Sequence, residues 1–194
     1  ALSAIDIALW DIKGKRFDTP VYDLMGGQTR DKVRCYMHVA GNTLDELVAD
    51  GRSKVEQGFT AVRFSPFAPG YHLHKSYAEW ADEAVRRVGA MREGVGDAVD
   101  LCVEIHRQMT PAESIWLGRR LEQFHPYFYE DPMLPDSPAI MGEVQAQCNI
   151  PIATGERFAS IFEYQQLLDA RATTYTRPDV CLCSGLTGSK KVAA

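Results

Sequence analysis

The stretch DLCVEIHRQMTP, from Asp100 to Pro111, places two ionisable residues directly after a short apolar segment. Leu101 to Val103 is typical of a buried strand, and Thr110-Pro111 is typical of a helix start. Side chains alternate between the two faces of a strand, so Glu104 and His106 are predicted to point to the same side. The stretch therefore predicts a strand followed by a helix, with two titratable groups that enter one cavity.

From residue 32 onward, a short apolar segment followed by a longer stretch of helical periodicity recurs along the chain. Strands are predicted at 33–39, 61–64, 100–105, 127–129, 150–153 and 175–182, and helices at 44–56, 77–93, 111–124, 138–148, 161–170 and from 186. In a leading segment, residues 1–31, the stretch from Leu2 to Lys15 predicts an amphipathic helix with Leu2, Ile5, Leu9 and Ile12 on its apolar face. Six successive βα units predict a parallel sheet covered by helices, in one domain over residues 1–194.

A sheet of this kind closes into a (β/α)8 barrel or stays open as a doubly wound fold, and periodicity alone does not separate the two. An open sheet concentrates its chemistry at a glycine-rich first turn, but no G-x-G-x-x-G follows the first predicted strand. The glycines of 184–190 are too close together for a phosphate-binding P-loop. Ionisable residues instead follow several strands, which favours the barrel.

Composition narrows the possible partners. The chain has 194 residues and a formal net charge of −5, with no basic stripe, so nucleic acid and anionic membrane surfaces are disfavoured and small molecules or proteins are left. Its five cysteines form no Cys-x-x-Cys pair, and we interpret Cys181-x-Cys183 as core packing on a strand. Without a signal peptide or a long apolar run, the sequence predicts a soluble cytoplasmic protein.

Three glutamates follow the third, fourth and fifth predicted strands at equal spacing. Glu104 and Glu130 are 26 positions apart, and so are Glu130 and Glu156. One such acid after a strand is more often a helix cap or an ion-pair partner. Three on adjacent strands would repel one another unless a cation lay among them, and all-oxygen ligation favours Mg2+, then Mn2+, over Zn2+. The spacing therefore predicts a metal site.

Other polar residues at strand ends are candidates for proton transfer or substrate binding. His106 suits proton transfer near neutral pH, since an unperturbed imidazole has a pKa of about 6.5. His38 ends the first predicted strand and is a candidate substrate contact. Arg63, on the second strand, either binds a substrate carboxylate or hydroxyl or forms a salt bridge at the rim. The loop 66–76 adds Tyr71, His72 and His74 as candidate contacts.

The motifs SAIDIALWDIKGK, EIH, YEDP, GERF and RPDVCLCSGLTG together resemble the enolase superfamily, mandelate racemase subgroup, and within it the sugar-acid dehydratases of galactonate and mannonate type. The resemblance implies a modified (β/α)8 barrel after an N-terminal capping domain, of which this chain holds about six βα units. It also implies that Glu104, Glu130 and Glu156 bind Mg2+ and that His106 is the general acid that expels the 3-hydroxyl. Asp179 matches the acid that orients a catalytic His on the seventh strand, expected after Ala194.

The expected activity is Mg2+-dependent dehydration of an acid sugar such as galactonate, mannonate or gluconate to a 2-keto-3-deoxy acid, through an enediolate. Glu156 joins Arg63 and His38 as a candidate substrate contact, and we expect the full-length protein to be a homo-oligomer. Racemisation or epimerisation on the same scaffold is an alternative, although Arg63-Phe64-Ser65 replaces the Lys-x-Lys of lysine-based racemases. Another alternative is a non-catalytic fragment or binding module, and we expect the isolated segment to be inactive.

Overall fold

The computed structural model describes residues 1–68, 70, 71 and 76–194. The helices are α1 (Leu2–Arg16), α2 (Val21–Leu24), α3 (Leu44–Glu56), α4 (Tyr77–Val95), α5 (Pro111–Leu121), α6 (Pro138–Gln147), α7 (Ile161–Asp169) and α8 (Gly185–Ala193), with a 3-10 helix at Glu122–Phe124. The strands are β1 (Met37–His38), β2 (Ala61–Phe64), β3 (Asp100–Glu104), β4 (Phe128–Glu130), β5 (Ile152–Thr154) and β6 (Tyr175–Thr176). Interleaved strands and helices confirm the predicted α/β class.

The starts of three helices follow directly from local sequence. Thr43, Ser76 and Thr110 each accept a hydrogen bond from the backbone N–H three residues later, and the Glu at that later position accepts one in return from the cap. These reciprocal bonds satisfy N–H groups that a helix start leaves without a partner. Pro111 occupies the first turn of α5, where its missing N–H has no cost, so the predicted helix start at Thr110-Pro111 is confirmed.

The strands form one six-stranded sheet in the order β1-β2-β3-β4-β5-β6, and the pairs from β1 to β5 are parallel. Each strand therefore lies beside its neighbour in the chain, as successive βα units require. The chain divides into two compact units, which we call the sheet unit (Cys35–Thr154 and Ala170–Tyr175) and the helical unit (Ala1–Arg34, Gly155–Asp169 and Thr176–Ala194).

The period of two along each strand separates the sheet unit into two faces. One set of strand residues, Val62, Phe64, Leu101, Val103 and Tyr129, is buried in a core with residues of α3, α4 and α5. Alternate positions carry the opposite face, where Cys102, Phe128 and Ala153 form a second buried cluster. Arg63, Glu104 and Glu130 alternate with the helix-facing residues, so they belong to this second face. The polar strand residues are thereby kept out of the main core.

In the helical unit, α1 packs against α8 through polar contacts. Trp10 Nε1 donates to Thr187 Oγ1 at 2.9 Å, and Asp6 Oδ2 accepts from the Thr187 backbone N at 3.0 Å. Hydrogen bonds from the side chain and then the backbone of Thr187 lower the pKa of Asp6. The predicted apolar face of α1, Leu2, Ile5, Leu9 and Ile12, is instead 59–66% exposed. The amphipathic pattern was right about the helix but wrong about which side it buries within the unit.

The last strand differs most from the sequence prediction. β6 covers only Tyr175–Thr176, whereas residues 177–182 were also predicted to be extended. The backbone carbonyl of Asp179 accepts from the backbone N of Leu182 and of Cys183, and these hydrogen bonds fold the segment into a turn. Cys181 is exposed and Cys183 buried, so the interpretation of both as core residues on a strand is wrong.

His72 and His74, the candidate contacts in the loop 66–76, lie outside the described residues, whereas the ring of Tyr71 stacks on Phe67 at a centroid distance of 4.2 Å. None of the helices that the structure describes combines the length and apolar character needed to cross a bilayer.

Candidate active site

Four of the predicted site residues come together at the carboxyl ends of β1 to β4. We call His38, Arg63, Glu104 and Glu130 the Arg63 cluster. In the sheet register, His38 pairs with Arg63 and Glu104 pairs with Glu130. Parallel neighbours at one register point to the same face, so each pair projects together, and the Arg63 side chain reaches from one pair to the other. The 26-residue spacing of Glu104 and Glu130 predicts this register correctly.

The Arg63 guanidinium is the centre of this cluster. Its Nε and Nη2 atoms donate to the two carboxylate oxygens of Glu130, each at 2.5 Å. Nη2 also forms an ion pair with Glu104 Oε1. On the third side, Nη1 lies 2.9 Å from Nε2 and 3.1 Å from Nδ1 of His38. One cation thus contacts two carboxylates and an imidazole.

Burial removes much of the hydration of the charged groups in this cluster, so their interactions with one another matter more. Glu130 is fully buried and Arg63 is 5% exposed, while the Glu104 side chain is 15% exposed. Burial lowers the pKa of Arg63, but the hydrogen bond to Glu130 and the charges of Glu130 and Glu104 outweigh it, so its pKa lies above the ordinary value. Two carboxylates and one guanidinium sum to a net charge of −1. The cluster is therefore a place where a further cation is favoured.

A second group of charges surrounds Asp131, the residue directly after β4. We call Arg107, Asp131 and Thr154 the Asp131 cluster. Asp131 Oδ2 accepts from Arg107 Nη1 at 2.6 Å, and Oδ1 accepts from Thr154 Oγ1 at 2.6 Å. The Asp131 backbone has φ 43°, which departs from the extended conformation of β4. Asp131 is 1% exposed, so its carboxylate is buried with a partner for each oxygen.

The backbone places His106 differently from the prediction. β3 ends at Glu104, and His106 has φ 59° in the left-handed region, followed by Arg107 at φ 65°. The period of two does not continue through such residues, so the prediction that strand alternation aligns His106 with Glu104 is wrong about the backbone. His106 is exposed at the end of the strand. Its role as a general acid stays a prediction.

Glu156 and Asp179 belong to the helical unit. Glu156 Oε2 lies 3.6 Å from Arg177 Nη1, and Asp179 Oδ1 accepts from the backbone N of Cys181 at 2.7 Å. On β5 the register partner of Glu130 is Ala153, not Glu156. Glu156 follows three positions later, after Gly155 with φ 122°. Equal spacing therefore predicts the wrong register for the third glutamate, because the chain has left the strand before reaching it.

Sequence reasoning missed the Asp131 cluster. Asp131 was visible in the YEDP motif, but strand alternation would place it opposite Glu130 and toward the helices. One signal was available in the sequence. A buried acid requires a partner, and Arg107, which directly follows the candidate acid His106, is a possible partner for Asp131. Nothing in the sequence shows that Arg107, Asp131 and Thr154 meet, since they come from three different strand ends.

Comparison with known proteins gives two family matches. Residues 46–194 match the family described as "Enolase C-terminal domain-like". Residues 1–26 match the family described as "Mandelate racemase / muconate lactonizing enzyme, N-terminal domain". The boundary between the two matches lies within 27–45, after the leading helices α1 and α2.

Individual relatives agree with these matches. The chain is 36% identical to the D-gluconate dehydratase of Thermoproteus tenax, over all of this chain and 39% of that protein. It is 33% identical to the D-galactonate dehydratase of Verminephrobacter eiseniae, over all of this chain and 50% of that protein. A crystal structure of an enolase from Agrobacterium radiobacter, with bound Na and L-malate, superposes with a TM-score of 0.91 at 29% identity, covering all of this chain and 49% of that one. The chain spans half or less of the length of these proteins.

Proposed function

Since this chain belongs to the enolase C-terminal domain-like family, whose barrel fold its six βα units share, we propose that the protein is a Mg2+-dependent acid-sugar dehydratase. The reaction removes the proton α to the substrate carboxylate and expels the β-hydroxyl. An aldonic acid such as galactonate, mannonate or gluconate thereby becomes a 2-keto-3-deoxy acid through an enediolate. Relatives that are a D-gluconate and a D-galactonate dehydratase support this class of reaction.

The observation that carries the proposal is the convergence of Glu104 and Glu130 on a single guanidinium. Their carboxylates are in register and contact the same cationic group, Arg63. A binding module has no need for one buried and one partly buried acid that share one counterion, because such an arrangement leaves uncompensated negative charge. A reaction that develops charge on an acidic substrate does need a site of this kind, in which a cation is bound close to the reacting atoms.

The donor set fits a hard divalent cation. Carboxylate oxygens are the ligands that Mg2+ prefers, with Mn2+ as the second choice, and Glu104 and Glu130 converge closely enough to share one cation. We assign Glu104, Glu130 and Glu156 as the metal ligands. When bound, Mg2+ supplies the positive charge that makes the α proton of a carboxylate substrate more acidic.

The remaining residues bind the substrate or move protons. Arg63 contacts the two carboxylates, and His38 contacts Arg63. Both are assigned to the substrate carboxylate or a hydroxyl, for which a guanidinium fork is well suited, and Glu156 is a further candidate contact. His106, two residues beyond Glu104 and exposed, is assigned as the acid that protonates the departing hydroxyl. Asp179 is assigned to orient the His that acts as base; no residue of this chain is assigned as that base.

A panel of aldonic acids tests the proposal. The full-length protein is incubated with gluconate, galactonate and mannonate in the presence of Mg2+, and 2-keto-3-deoxy products are measured. Turnover of at least one acid is expected, with loss of activity in a His106→Asn variant by a factor of about 100 to 10,000. Asp82→Asn, which changes an exposed acid on α4, serves as the matched control.

Two results would contradict the proposal. One is bound Mg2+ without turnover of any acid in the panel. The other is a product that keeps its β-hydroxyl and has an inverted α carbon, since that product would favour an epimerase on the same scaffold.

A further inference from the structure

The turn that carries His106 has an unusual backbone. His106 and Arg107 both have positive φ, at 59° and 65°. Residues with side chains seldom adopt this region, and two in succession persist only when surrounding contacts hold them there. Ile105, just before them, is fully buried, and its N–H donates to the Glu130 carbonyl at 3.0 Å. The turn is thus fixed to β4 before the chain reaches His106.

Asp131 holds the other side of the turn. The Arg107 backbone N donates to the Asp131 carbonyl at 2.7 Å, and the Arg107 side chain donates to the Asp131 carboxylate at 2.6 Å. Both polar ends of Arg107 are therefore bound to one residue. Ile105 and Arg107 flank His106 in the chain. The backbone of His106 is therefore held on both sides, by Glu130 at the end of β4 and by Asp131 directly after it.

Asp131 is itself fixed to the next strand. Its backbone N donates to the Ala153 carbonyl at 3.0 Å, and its carboxylate accepts from Thr154 Oγ1. It therefore connects the end of β5, the end of β4 and the turn after β3. His106 is exposed, so the direction of its imidazole depends on this backbone rather than on packing around the ring.

We propose that Asp131 is a positioning residue for His106, acting through Arg107 to hold the turn after β3 that carries the imidazole. The proposal deepens the proposed function, on which it rests for the role of His106 as an acid. It assigns Thr154 a supporting role, because the threonine hydroxyl fixes the orientation of the Asp131 carboxylate. Groups that orient a reacting side chain typically change activity by a factor of about 10 to 100 when they are replaced.

A double-mutant cycle tests whether Asp131 acts through His106. In the full-length protein, Asp131→Asn is expected to lower kcat by a factor of about 10 to 100 with little change in KM. In a His106→Asn background the same substitution is expected to lower kcat by a factor of less than about 3, since the oriented group is already gone. An equal loss in both backgrounds would show that Asp131 acts on the neighbouring carboxylates and would overturn the proposal.

A measurement without turnover keeps this proposal separate from the proposed function. The imidazole signals of full-length protein labelled at histidine are followed by NMR. In Asp131→Asn, the His106 signal is expected to shift or broaden as the turn relaxes, while the signal of His125 stays in place. His125 is a suitable internal reference because it is also exposed and also has positive φ, at 50°. An unchanged His106 signal would overturn the proposal whether or not the protein dehydrates sugars.

Milder variants cover the case in which Asp131→Asn does not fold. Thr154→Val removes one hydrogen bond from Asp131, and it is expected to move the same His106 signal by a smaller amount, with Thr154→Ser restoring it. Asp82→Asn is the matched control, because Asp82 accepts from Arg120 Nη1 at 2.5 Å in an exposed Arg–Asp pair. A His106 signal that moves equally in Asp82→Asn, or that Thr154→Ser does not restore, would contradict the positioning role.

Discussion

The Arg63 cluster and the Asp131 cluster are both groups of charges around a buried carboxylate at the ends of neighbouring strands, but they differ in charge balance. In the Arg63 cluster one guanidinium contacts two carboxylates. In the Asp131 cluster one guanidinium contacts one carboxylate, whose second oxygen accepts from a hydroxyl. The second arrangement is neutral and each carboxylate oxygen has a partner, as structural ion pairs require. The first keeps a net negative charge that a divalent cation would neutralise.

The two clusters diverge at the end of β4, where a residue of the proposed metal site is followed directly by a residue of a structural ion pair. Glu130 and Asp131 are adjacent in sequence and both are fully buried, yet Glu130 faces the Arg63 cluster and Asp131 binds Arg107 and Thr154. The change of backbone at Asp131, to φ 43°, makes the separation possible. We expect substitutions in the two clusters to respond differently to Mg2+.

The largest expected effect is the loss of either guanidinium. Arg107→Met leaves the buried Asp131 carboxylate without its counterion and is expected to lower the free energy of unfolding by about 3–5 kcal/mol. Arg63→Met is expected to have an effect of similar size without metal. Mg2+ at 100 times its Kd stabilises a protein that binds it by about 2.7 kcal/mol. Arg63→Met removes the cation that contacts Glu104 and Glu130, so we expect it to bind Mg2+ more tightly than wild type and its stability deficit to narrow at a fixed Mg2+ concentration. Arg107→Met leaves the Arg63 cluster unchanged, and its deficit is expected to stay the same.

Chemical denaturation of both variants, with and without Mg2+, checks this prediction. The comparison depends on the stability of each variant relative to wild type under the same conditions. If Mg2+ narrowed the deficit of Arg107→Met as much as that of Arg63→Met, the proposed distinction between the two clusters would be wrong.

The next effect concerns metal affinity. Glu130→Gln keeps the size of the side chain but removes a buried carboxylate from the Arg63 cluster, and it is expected to weaken Mg2+ binding at least 100-fold, or by about 2.7 kcal/mol. Calorimetric titration of the full-length protein measures the change. Glu122→Gln is the matched control, since Glu122 accepts from Asn149 and its pKa is lowered mainly by those hydrogen bonds. Equal Mg2+ affinity in Glu130→Gln and wild type would exclude Glu130 as a ligand.

A smaller effect is expected from the hydroxyl in the Asp131 cluster. Thr154→Val removes the hydrogen bond to a buried carboxylate and is expected to lower the free energy of unfolding by about 1.5–3 kcal/mol, independently of Mg2+. Thr174→Val is the control, because that hydroxyl is exposed and lies 3.4 Å from Gln145 Oε1. Thermal or denaturant unfolding of both variants checks the difference. Similar losses would show that the Asp131 carboxylate gains nothing from Thr154.

The smallest effect is expected at the edge of the Arg63 cluster. His38 is exposed and contacts Arg63 through its ring nitrogens, so His38→Asn is expected to change the free energy of unfolding by about 1 kcal/mol or less. If His38 also contacts the substrate, KM for the acid sugar rises while Mg2+ affinity is kept. Steady-state kinetics and calorimetry together measure both quantities. A loss of Mg2+ affinity instead would place His38 among the groups that organise the metal ligands.

The parts of the fold that were predictable are those whose partners lie nearby in sequence. The bounds of α3 and β2 agree with the prediction residue for residue, because a capping box begins α3 and β2 is a short strand in which all four residues are buried. The stripe on α1 failed in a different way. Its period of 3.6 residues predicted the helix, but the contacts of the helical unit place Asp6 and Trp10 against α8 and leave the stripe exposed.

The candidate site shows the same limit. Spacing predicted that Glu104 and Glu130 are in register, since both end strands of one parallel sheet. It did not predict the position of Glu156, because the chain leaves β5 before that residue, nor the left-handed turn at His106. A strand's alternation holds only while the backbone is extended, and the ends of strands, where the chemistry is placed, are where it stops.

The sequence by itself determined the order of strands and helices, the parallel pairing and the carboxylates at the strand ends, because these follow from periodicity and from acids that recur once per βα unit. Only the tertiary structure decided which charges meet. Arg63 lies 67 positions from Glu130, and Arg107 lies 24 positions from Asp131. Buried charges select partners by distance and burial in three dimensions, and the spacing of residues along the chain does not contain that information.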